Sequence, residues 1–354
     1  MTMKRLPREP ETFDALELYA ALARQQGYRI DIPEDLEAFQ RQVSTSLKAT
    51  LANPNILHGK RVEAMFAHVL GALGECKYIK QEDGGASFSS SDEFLVPDYR
   101  VVTNTGDLLL IEVKNFHMKD FGSRYTITRS YLARLASYAE MNRAKLKIAI
   151  YFSRINQWVL LSPEAFLVDS RRAYIDLPYA MARNEFSHLG DRMIATLPPL
   201  SIEFIGDAED ERAIVQEDGT AVFTIREIKM YCAGKLITDE IERKIAFYLM
   251  RYGKWDQTEM PANIVNGRLV SMDFVSRPEE PSEEQQFQIL GNLSSMVSAA
   301  FRELTIDEEA GVFALDVKYD PQMFSVEIPK DYKGSALPLW QFVLQPNFDF
   351  QVTV

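Results

Sequence analysis

Residues 96–114, VPDYRVVTNTGDLLLIEVK, decide the fold because they contain two strand-like runs joined by a short turn. The runs 99–103 and 108–113 are rich in the branched and aromatic residues that β-strands favour. The turn between them, Asn104-Thr105-Gly106, suits a three-residue hairpin loop with Gly106 in the left-handed conformation. The stretch therefore predicts a β-hairpin.

The turn also sets the register of this hairpin. Pairing Thr103 with Asp107 across the loop places Asp98 opposite Glu112, and directly opposed residues share one face of a sheet. Lys114 follows Glu112 by two residues and so emerges on that same face. The sequence predicts that Asp98, Glu112 and Lys114 converge.

Two opposed carboxylates repel each other, so a site of this kind requires a compensating positive charge. A hard divalent cation meets that need, and Mg²⁺ usually takes one or two carboxylates together with substrate phosphates. Lys114 could then orient an attacking water or stabilise charge on a phosphate. The alternative is an ordinary hairpin with a surface aspartate and a Glu–Lys pair. The apolar run 108–111 favours a metal site, because charges at the end of a strand buried on both faces need a reason.

Pro97-Asp98, followed after 14 positions by Glu112-Val113-Lys114, resembles the signature of the PD-(D/E)xK nuclease superfamily. The resemblance implies an α/β restriction-endonuclease-like fold, in which a mixed central sheet is flanked by helices and carries the motif on a hairpin. It also implies hydrolysis of phosphodiester bonds with Mg²⁺, for which Mn²⁺ could substitute. Bacterial defence, restriction or repair would be the setting.

A helix before the hairpin supplies a further candidate. The pattern predicts this helix at about residues 60–73, ending at Gly74, with Glu63 at the margin of its apolar stripe. In the superfamily such a helix often supplies another acidic residue, so Glu63 is a third candidate metal ligand beside Asp98 and Glu112. The alternative is a surface glutamate favoured by the helix dipole.

Charge is distributed unevenly along the chain, whose net charge is −12. Residues 201–354 hold 14 Lys and Arg against 27 Asp and Glu, a net of −13, whereas residues 1–200 hold 25 against 24, a net of +1. The segment 112–154 alone holds 9 against 3, a local +6. A phosphate backbone would have to lie there, so this segment predicts contact with nucleic acid, with a solvated face as the alternative.

A second helix is predicted after the hairpin, from a cap at Ser130 to about Asn142. Exonuclease-type members of the superfamily carry Gln-x-x-x-Tyr on this helix. Here Arg134 and Tyr138 occupy those positions, so the tyrosine matches and the glutamine does not. An arginine could still contact phosphate. The candidate nucleic-acid-binding residues are Arg124, Arg129, Arg134 and Tyr138.

The length of 354 residues accommodates more than one domain. We expect a helical extension over residues 1–55, a nuclease-like domain over residues 56–200 and an acidic α+β domain over residues 201–354. The acidity of the last part disfavours DNA binding and favours contact with a protein partner or with a second copy of the chain. Within the middle part, Ser162-Pro163 predicts the start of another helix.

Other features predict a cytoplasmic protein without a membrane partner. No apolar run approaches the roughly 18 residues of a membrane span, and the N-terminus lacks the apolar core of a signal peptide. Cys76 and Cys232 lie far apart without metal-type spacing. The histidines, which are predicted to be structural or solvated, are His58, His68, His117 and His188.

The leading hypothesis is a Mg²⁺-dependent nuclease acting on DNA, with Asp98, Glu112, Lys114 and Glu63 at its site. The same chemistry would serve an RNA substrate, so an RNA nuclease stays open. The other alternative is a nucleic-acid-binding or assembly subunit without turnover. The intact set of charges argues against that alternative, because a retired site tends to lose charges that are costly to bury.

Overall fold

The computed structural model describes residues 3–6, 10–11, 13–82, 88–89, 93–207, 209–280, 284–329 and 331–351. Within these ranges the chain is mixed α/β, with seven α-helices and five sheets. The helices are α1 (Phe13–Gln26), α2 (Pro33–Leu51), α3 (Pro54–Leu73), α4 (Arg129–Met141), α5 (Leu177–Ala182), α6 (Glu240–Tyr252) and α7 (Leu293–Glu303). None of these helices is both long and apolar enough to cross a bilayer.

The described part of the chain contains nineteen strands. Those of the first half are β1 (Cys76–Gln81), β2 (Tyr99–Thr103), β3 (Leu108–Phe116), β4 (Arg124–Thr128), β5 (Lys145–Phe152), β6 (Gln157–Leu161), β7 (Leu167–Val168) and β8 (Arg172–Asp176). Those that follow are β9 (Met193–Thr196), β10 (Leu200–Gly206), β11 (Ile225–Cys232), β12 (Lys235–Leu236), β13 (Gln257–Glu259), β14 (Ala262–Val265), β15 (Arg268–Arg277), β16 (Gln288–Asn292), β17 (Ile306–Asp307), β18 (Gly311–Val312) and β19 (Leu339–Phe342).

The chain forms two compact units. The first comprises Met1–Gly190, Ser298–Phe324 and Gln345–Val354, and the second comprises Asp191–Val297 and Ser325–Leu344. The division into domains at residues 55 and 200 stays a prediction, because compactness alone does not show that a segment folds by itself.

The first unit is built on a five-stranded sheet of order β1-β2-β3-β5-β6. The strands β1, β2 and β3 are antiparallel neighbours, β3 runs parallel to β5, and β6 is antiparallel to β5. The link between the parallel strands contains β4 and α4, which supply the long crossover that a parallel pair needs. Strand β3 is central and is buried at residues 109–113, in agreement with its apolar sequence.

The hairpin of β2 and β3 has the register expected from the sequence. Tyr99 pairs with Ile111, and the N–H of Thr103 donates to the carbonyl oxygen of Asp107 at 3.0 Å. Gly106 closes the loop with a φ of +97°, in the left-handed region. The prediction of a hairpin closed by this glycine is confirmed.

We expect Gly106→Ala to lower the free energy of unfolding by about 1–2 kcal/mol, because a Cβ atom is strained at positive φ. Gly59 provides the matched control. It lies inside α3, and no atom lies within 4 Å of the position of an added Cβ. Gly59→Ala should therefore stabilise the chain by about 0.5–1 kcal/mol. Urea unfolding measures both changes, and a Gly106→Ala chain as stable as the parent would contradict this account of the turn.

Helices α3 and α4 cover opposite faces of this sheet. Phe66 of α3 packs on the rings of Tyr99 and Trp158, with centroid distances of 5.8 and 5.3 Å. Leu135 of α4 joins Leu110 of β3 in a buried apolar cluster on the other face. Alternate residues of β3 therefore face different helices, and Glu112 and Lys114 lie on the α4 side.

Helix α3 begins at Pro54 rather than near residue 60. The side chain of Asn53 accepts a hydrogen bond from the N–H of Asn55 at 3.1 Å and so caps the helix. Pro54 takes the first helical position, where its missing N–H would have no partner in any case. Gly59 lies inside the helix.

Two other helix starts differ from expectation. Thr128, not Ser130, caps α4, since its Oγ1 accepts the N–H of Tyr131 at 3.3 Å. Ser162-Pro163 opens only a 3-10 turn, Pro163–Ala165. The backbone then turns into the short strand β7.

Residues 298–324 complete the packing of the first unit around α3. The ring of His68 lies 5.2 Å from that of Phe301 and 5.1 Å from that of Phe324. The indole N–H of Trp158 in β6 donates to Ser298 Oγ at 2.9 Å. The core beneath the central sheet thus depends on residues more than a hundred positions downstream.

The second unit contains α6 and two sheets of its own. One has the order β12-β11-β10-β15-β13, with β14 also paired to β15, and the other has the order β16-β9-β19. Every strand pair of these two sheets is antiparallel. No candidate site residue lies in this unit.

Candidate active site on the central hairpin

Asp98 and Glu112 are neighbours at the start of β2. Asp98 directly precedes the strand, and its Oδ2 accepts the N–H of Val113 at 2.7 Å. Glu112 is 3% exposed. Burial, and next the negative charge of Glu112, raise the pKa of Asp98 to about 7. The two carboxylates therefore repel each other inside the protein, as the register of the hairpin predicts.

Lys114 and Tyr131 both bind one oxygen of Glu112. The ammonium Nζ of Lys114 and the hydroxyl of Tyr131 each lie 2.5 Å from Glu112 Oε1. The ammonium also lies 5.3 Å from the centroid of the Tyr131 ring. Burial acts to lower the pKa of Lys114, but the charge and hydrogen bond of Glu112 outweigh it and raise the pKa. Lys114 thus keeps its proton at neutral pH.

Tyr131 was missed by sequence analysis. The cap at Thr128 fixes Tyr131 in the first turn of α4, from which its hydroxyl reaches Glu112. Burial and the hydrogen bond to Glu112 raise the pKa of Tyr131 to about 12, so the hydroxyl remains a donor. The sequence contains no local signal that distinguishes Tyr131 from Tyr138.

Glu63 lies on α3 near the Asp98 end of the hairpin. Its carboxylate pairs with Lys60 at 2.5 Å, and its main-chain oxygen accepts the hydroxyl of Tyr99 at 3.0 Å. Its negative charge adds to the rise in the pKa of Asp98. Glu63 is therefore close enough to act on the pair electrostatically, although its nearest partner is a lysine.

The carboxylates of Asp98 and Glu112 fit a hard divalent cation. Their second oxygens, Asp98 Oδ1 and Glu112 Oε2, accept no hydrogen bond from the residues that the structure describes. Within the same ranges, no three His, Cys, Asp or Glu side chains are grouped into a complete metal cage. Two carboxylates are the usual protein contribution to a Mg²⁺ site, with waters and phosphates supplying the remaining ligands.

Arg124 and Arg129 lie on the exposed surface around the start of α4. The guanidinium of Arg124 lies 5.1 Å from the centroid of the Tyr174 ring. Arg129 donates weakly to the carbonyl oxygen of Asp169, at 3.5 Å. Neither contact neutralises the arginine, so both charges remain accessible to an anion.

Arg134 and Tyr138 each form a side-chain hydrogen bond within the protein. Arg134 is exposed and donates to the carbonyl oxygen of Phe94 at 3.2 Å. The hydroxyl of Tyr138 donates to Glu82 at 2.9 Å, and Glu82 also pairs with Arg100 at 2.6 Å. The tyrosine suggested by the exonuclease pattern is therefore engaged with the Glu82–Arg100 ion pair.

The sequence matches no protein-family model, and comparison with curated proteins gives no match. Among solved structures, the chain shows similarity to the Holliday junction resolvase Hjc of Archaeoglobus fulgidus. The TM-score is 0.24 at 18% sequence identity, over 29% of this chain and 77% of the resolvase. A TM-score of this size does not establish a shared fold, so function has to be argued from the site itself.

Proposed function

We propose that this protein is a Mg²⁺-dependent nuclease that hydrolyses phosphodiester bonds of DNA at Asp98, Glu112 and Lys114. The observation that carries the proposal is Glu112, a carboxylate 3% exposed whose charge raises the pKa of a second carboxylate. Burying two acids together is destabilising. A bound cation would offset this cost, because it attracts both carboxylates. The mixed sheet with α3 and α4 on its two faces supports a restriction-endonuclease-like arrangement.

In this proposal Asp98 and Glu112 hold the cation, with Glu63 of α3 as a further carboxylate near Asp98. Mn²⁺ would substitute for Mg²⁺, since it also prefers oxygen ligands. Such an ion lowers the pKa of a bound water and stabilises the charge that develops on phosphate oxygens.

Lys114 and Tyr131 take different roles. Because Lys114 keeps its proton, it acts as a hydrogen-bond donor and positive charge towards a phosphate oxygen or the attacking water, rather than as a base. Tyr131 is a positioning residue, since it holds the same Glu112 oxygen that Lys114 holds.

The substrate strand would contact the basic segment 112–154. Arg124, Arg129 and Arg134 are exposed there, and the local charge of +6 attracts a phosphate backbone. Cutting foreign or damaged DNA in defence, restriction or repair would use such a site. The acidic residues 201–354 would then contact a protein partner or a second copy of the chain.

The test incubates the full chain with plasmid, linear duplex, single-stranded DNA and single-stranded RNA, with Mg²⁺, Mn²⁺ or EDTA. We expect metal-dependent cleavage of DNA. Glu112→Gln should lower the rate at least about 10²-fold, as expected when a preorganised charged group is removed. Glu140→Gln, which neutralises an exposed carboxylate on α4, is the matched control and should leave the rate unchanged.

Three outcomes would revise the proposal. Cleavage of RNA alone would identify an RNA nuclease with the same site. Salt-dependent binding of nucleic acid without cleavage under any metal would identify a binding or assembly subunit. Equal rates for Glu112→Gln and Glu140→Gln would place the active site elsewhere.

A further inference from the structure

Arg61, in the third turn of α3, is a buried cation without an anionic partner among the described residues. It is 4% exposed, and its Nη1 donates to Thr305 Oγ1 at 3.3 Å and to the sulfur of Met65 at 3.9 Å. Its Nε is buried and has no hydrogen-bond partner in the part of the chain that the structure describes. No described carboxylate forms an ion pair with it. Burying a charge in this way is strongly unfavourable unless an anion compensates it.

The side chains around Arg61 include a histidine and no described acid. His58 lies one helical turn before it on α3, hence on the same side of the helix. Burial, and then the charges of Arg61, His117 and Arg302, lower the pKa of His58. All the charges that shift this pKa are thus positive, whereas a structural ion-pair network would contain acids.

Arg302 and His117 complete this group from two other parts of the first unit. Arg302 is exposed in the last turn of α7, three residues before the Thr305 that Arg61 contacts, and its side chain pairs with no described residue. His117 directly follows β3, is exposed, and lies 3.2 Å from Ser153 Oγ at the end of β5. We call His58, Arg61, His117 and Arg302 the basic cluster.

The sheet contributes one more unsatisfied group on this side. Asn115 follows Lys114 on β3 and faces α3 rather than α4, and its Oδ1 is buried without a hydrogen-bond partner among the residues that the structure describes. Asn115 is the register partner of Tyr151 in the neighbouring strand β5. Burial raises the pKa of Tyr151, and the positive charge of Arg61 acts to lower it. Turning the amide over would aim its N–H groups at an anion beside Arg61.

We propose that the basic cluster binds a phosphate group and, resting on the proposed function, that this phosphate belongs to the nucleic-acid substrate and is not the one cleaved. A guanidinium presents paired N–H donors that match phosphate oxygens. The two arginines supply charge and donors, and the imidazole and amide groups supply further donors. The cluster lies on the opposite face of β3 from Glu112 and Lys114, at the carboxyl end of this β-strand. A nucleic-acid strand that passes this end of β3 would place one phosphate at each site.

The test measures phosphate binding directly, in EDTA so that no cleavage occurs. Inorganic phosphate is titrated against the full chain by calorimetry, and fluorescent single-stranded DNA with and without a 5′-phosphate is titrated by anisotropy. The variants are Arg302→Ala, which removes an exposed charge, and Arg61→Met, which removes the buried one. Arg24→Ala, at an exposed position in the last turn of α1, is the charge-matched control.

We expect Arg302→Ala and Arg61→Met to weaken phosphate and DNA binding by about 10- to 100-fold, the usual effect of losing charged hydrogen bonds. Arg24→Ala should bind as the parent does. Arg61→Met should also unfold at a higher urea concentration than the parent, because it removes an uncompensated buried charge. A purely structural arginine would give the opposite shift.

The arms separate the possible ligands and the two proposals. A stronger effect of the variants on 5′-phosphorylated DNA identifies a strand end as the ligand, and equal effects on both strands identify an internal phosphate. Phosphate binding that Arg302→Ala leaves unchanged, or its absence in the parent, would overturn the basic cluster as a site. If the basic cluster fails this test but cleavage still depends on Glu112, the proposed function stands. If the basic cluster binds phosphate but the chain cleaves no nucleic acid, the phosphate site stands and the proposed function fails.

Discussion

Lys114→Ala is expected to lower the rate of DNA cleavage by about 10²–10³-fold while DNA affinity changes little, because it removes a preorganised charge that acts on the reacting phosphate. The variant leaves Asp98 and Glu112 in place. Glu112 Oε1 then accepts from Tyr131 alone, so the site becomes more negative and should hold Mg²⁺ at least as tightly. Single-turnover rates, DNA anisotropy and calorimetry with Mg²⁺ measure the three quantities separately.

Lys145→Ala is the matched control for this experiment. Lys145 begins β5, is largely exposed and pairs with Asp107 at 2.7 Å, near the loop end of the hairpin. Its loss removes the same charge from the same sheet without touching Glu112. If Lys114→Ala cut DNA as fast as Lys145→Ala, the assignment of Lys114 to the site would be wrong.

Asp98→Asn is expected to stabilise the metal-free protein at about pH 8 by an amount on the order of 2 kcal/mol. In the folded chain burial and Glu112 raise the pKa of Asp98 to about 7. The unfolded chain releases that proton near pH 4. Between about pH 4 and pH 7 the folded state binds the extra proton, so the free energy of unfolding falls as pH rises. Each tenfold difference in proton affinity is worth about 1.4 kcal/mol.

Urea unfolding in EDTA at about pH 5 and about pH 8 measures this change. The parent should lose stability between the two, and Asp98→Asn should lose less. Asp107→Asn is the control of opposite sign, because hydrogen bonds from Lys145 and Thr105 lower the pKa of Asp107. Adding Mg²⁺ at about pH 8 should stabilise the parent more than Asp98→Asn. A variant less stable than the parent at that pH in EDTA would show that the two carboxylates do not repel each other as described.

The hairpin could be predicted because its determinants are local. Gly106 fixes the loop, the loop fixes the register, and alternation then assigns Glu112 and Lys114 to one face. The apolar run at 108–111 likewise identified a central strand. Each of these inferences spans fewer than about twenty residues, so no tertiary contact was needed to make it.

The rest of the candidate site depends on contacts that the sequence does not record. Tyr131 reaches Glu112 only because Thr128 sets the first turn of α4 against the end of β3. The choice of Tyr138 followed a spacing pattern, yet its hydroxyl is engaged with Glu82. Two tyrosines on one short helix cannot be ranked without knowing how the helix is rotated against the sheet.

Only one residue of the basic cluster could have been recognised from the sequence. Arg61 precedes Met65 by four positions and so lies on the buried side of α3, where a charge is out of place. Arg302, by contrast, is more than two hundred residues away in the chain. Only the folding of residues 298–324 against α3 brings the two arginines together.

That late segment has a consequence for biosynthesis. Protein synthesis delivers the N-terminal part of a chain first, and domains generally fold as they emerge from the ribosome. The residues of the proposed active site leave the exit tunnel first, and Ser298, Phe301 and Phe324 follow more than a hundred residues later. A nascent chain that ends before these residues would therefore lack part of the packing beneath its central sheet. In the proposed nuclease, this order of assembly delays activity until residues 298–324 have been translated.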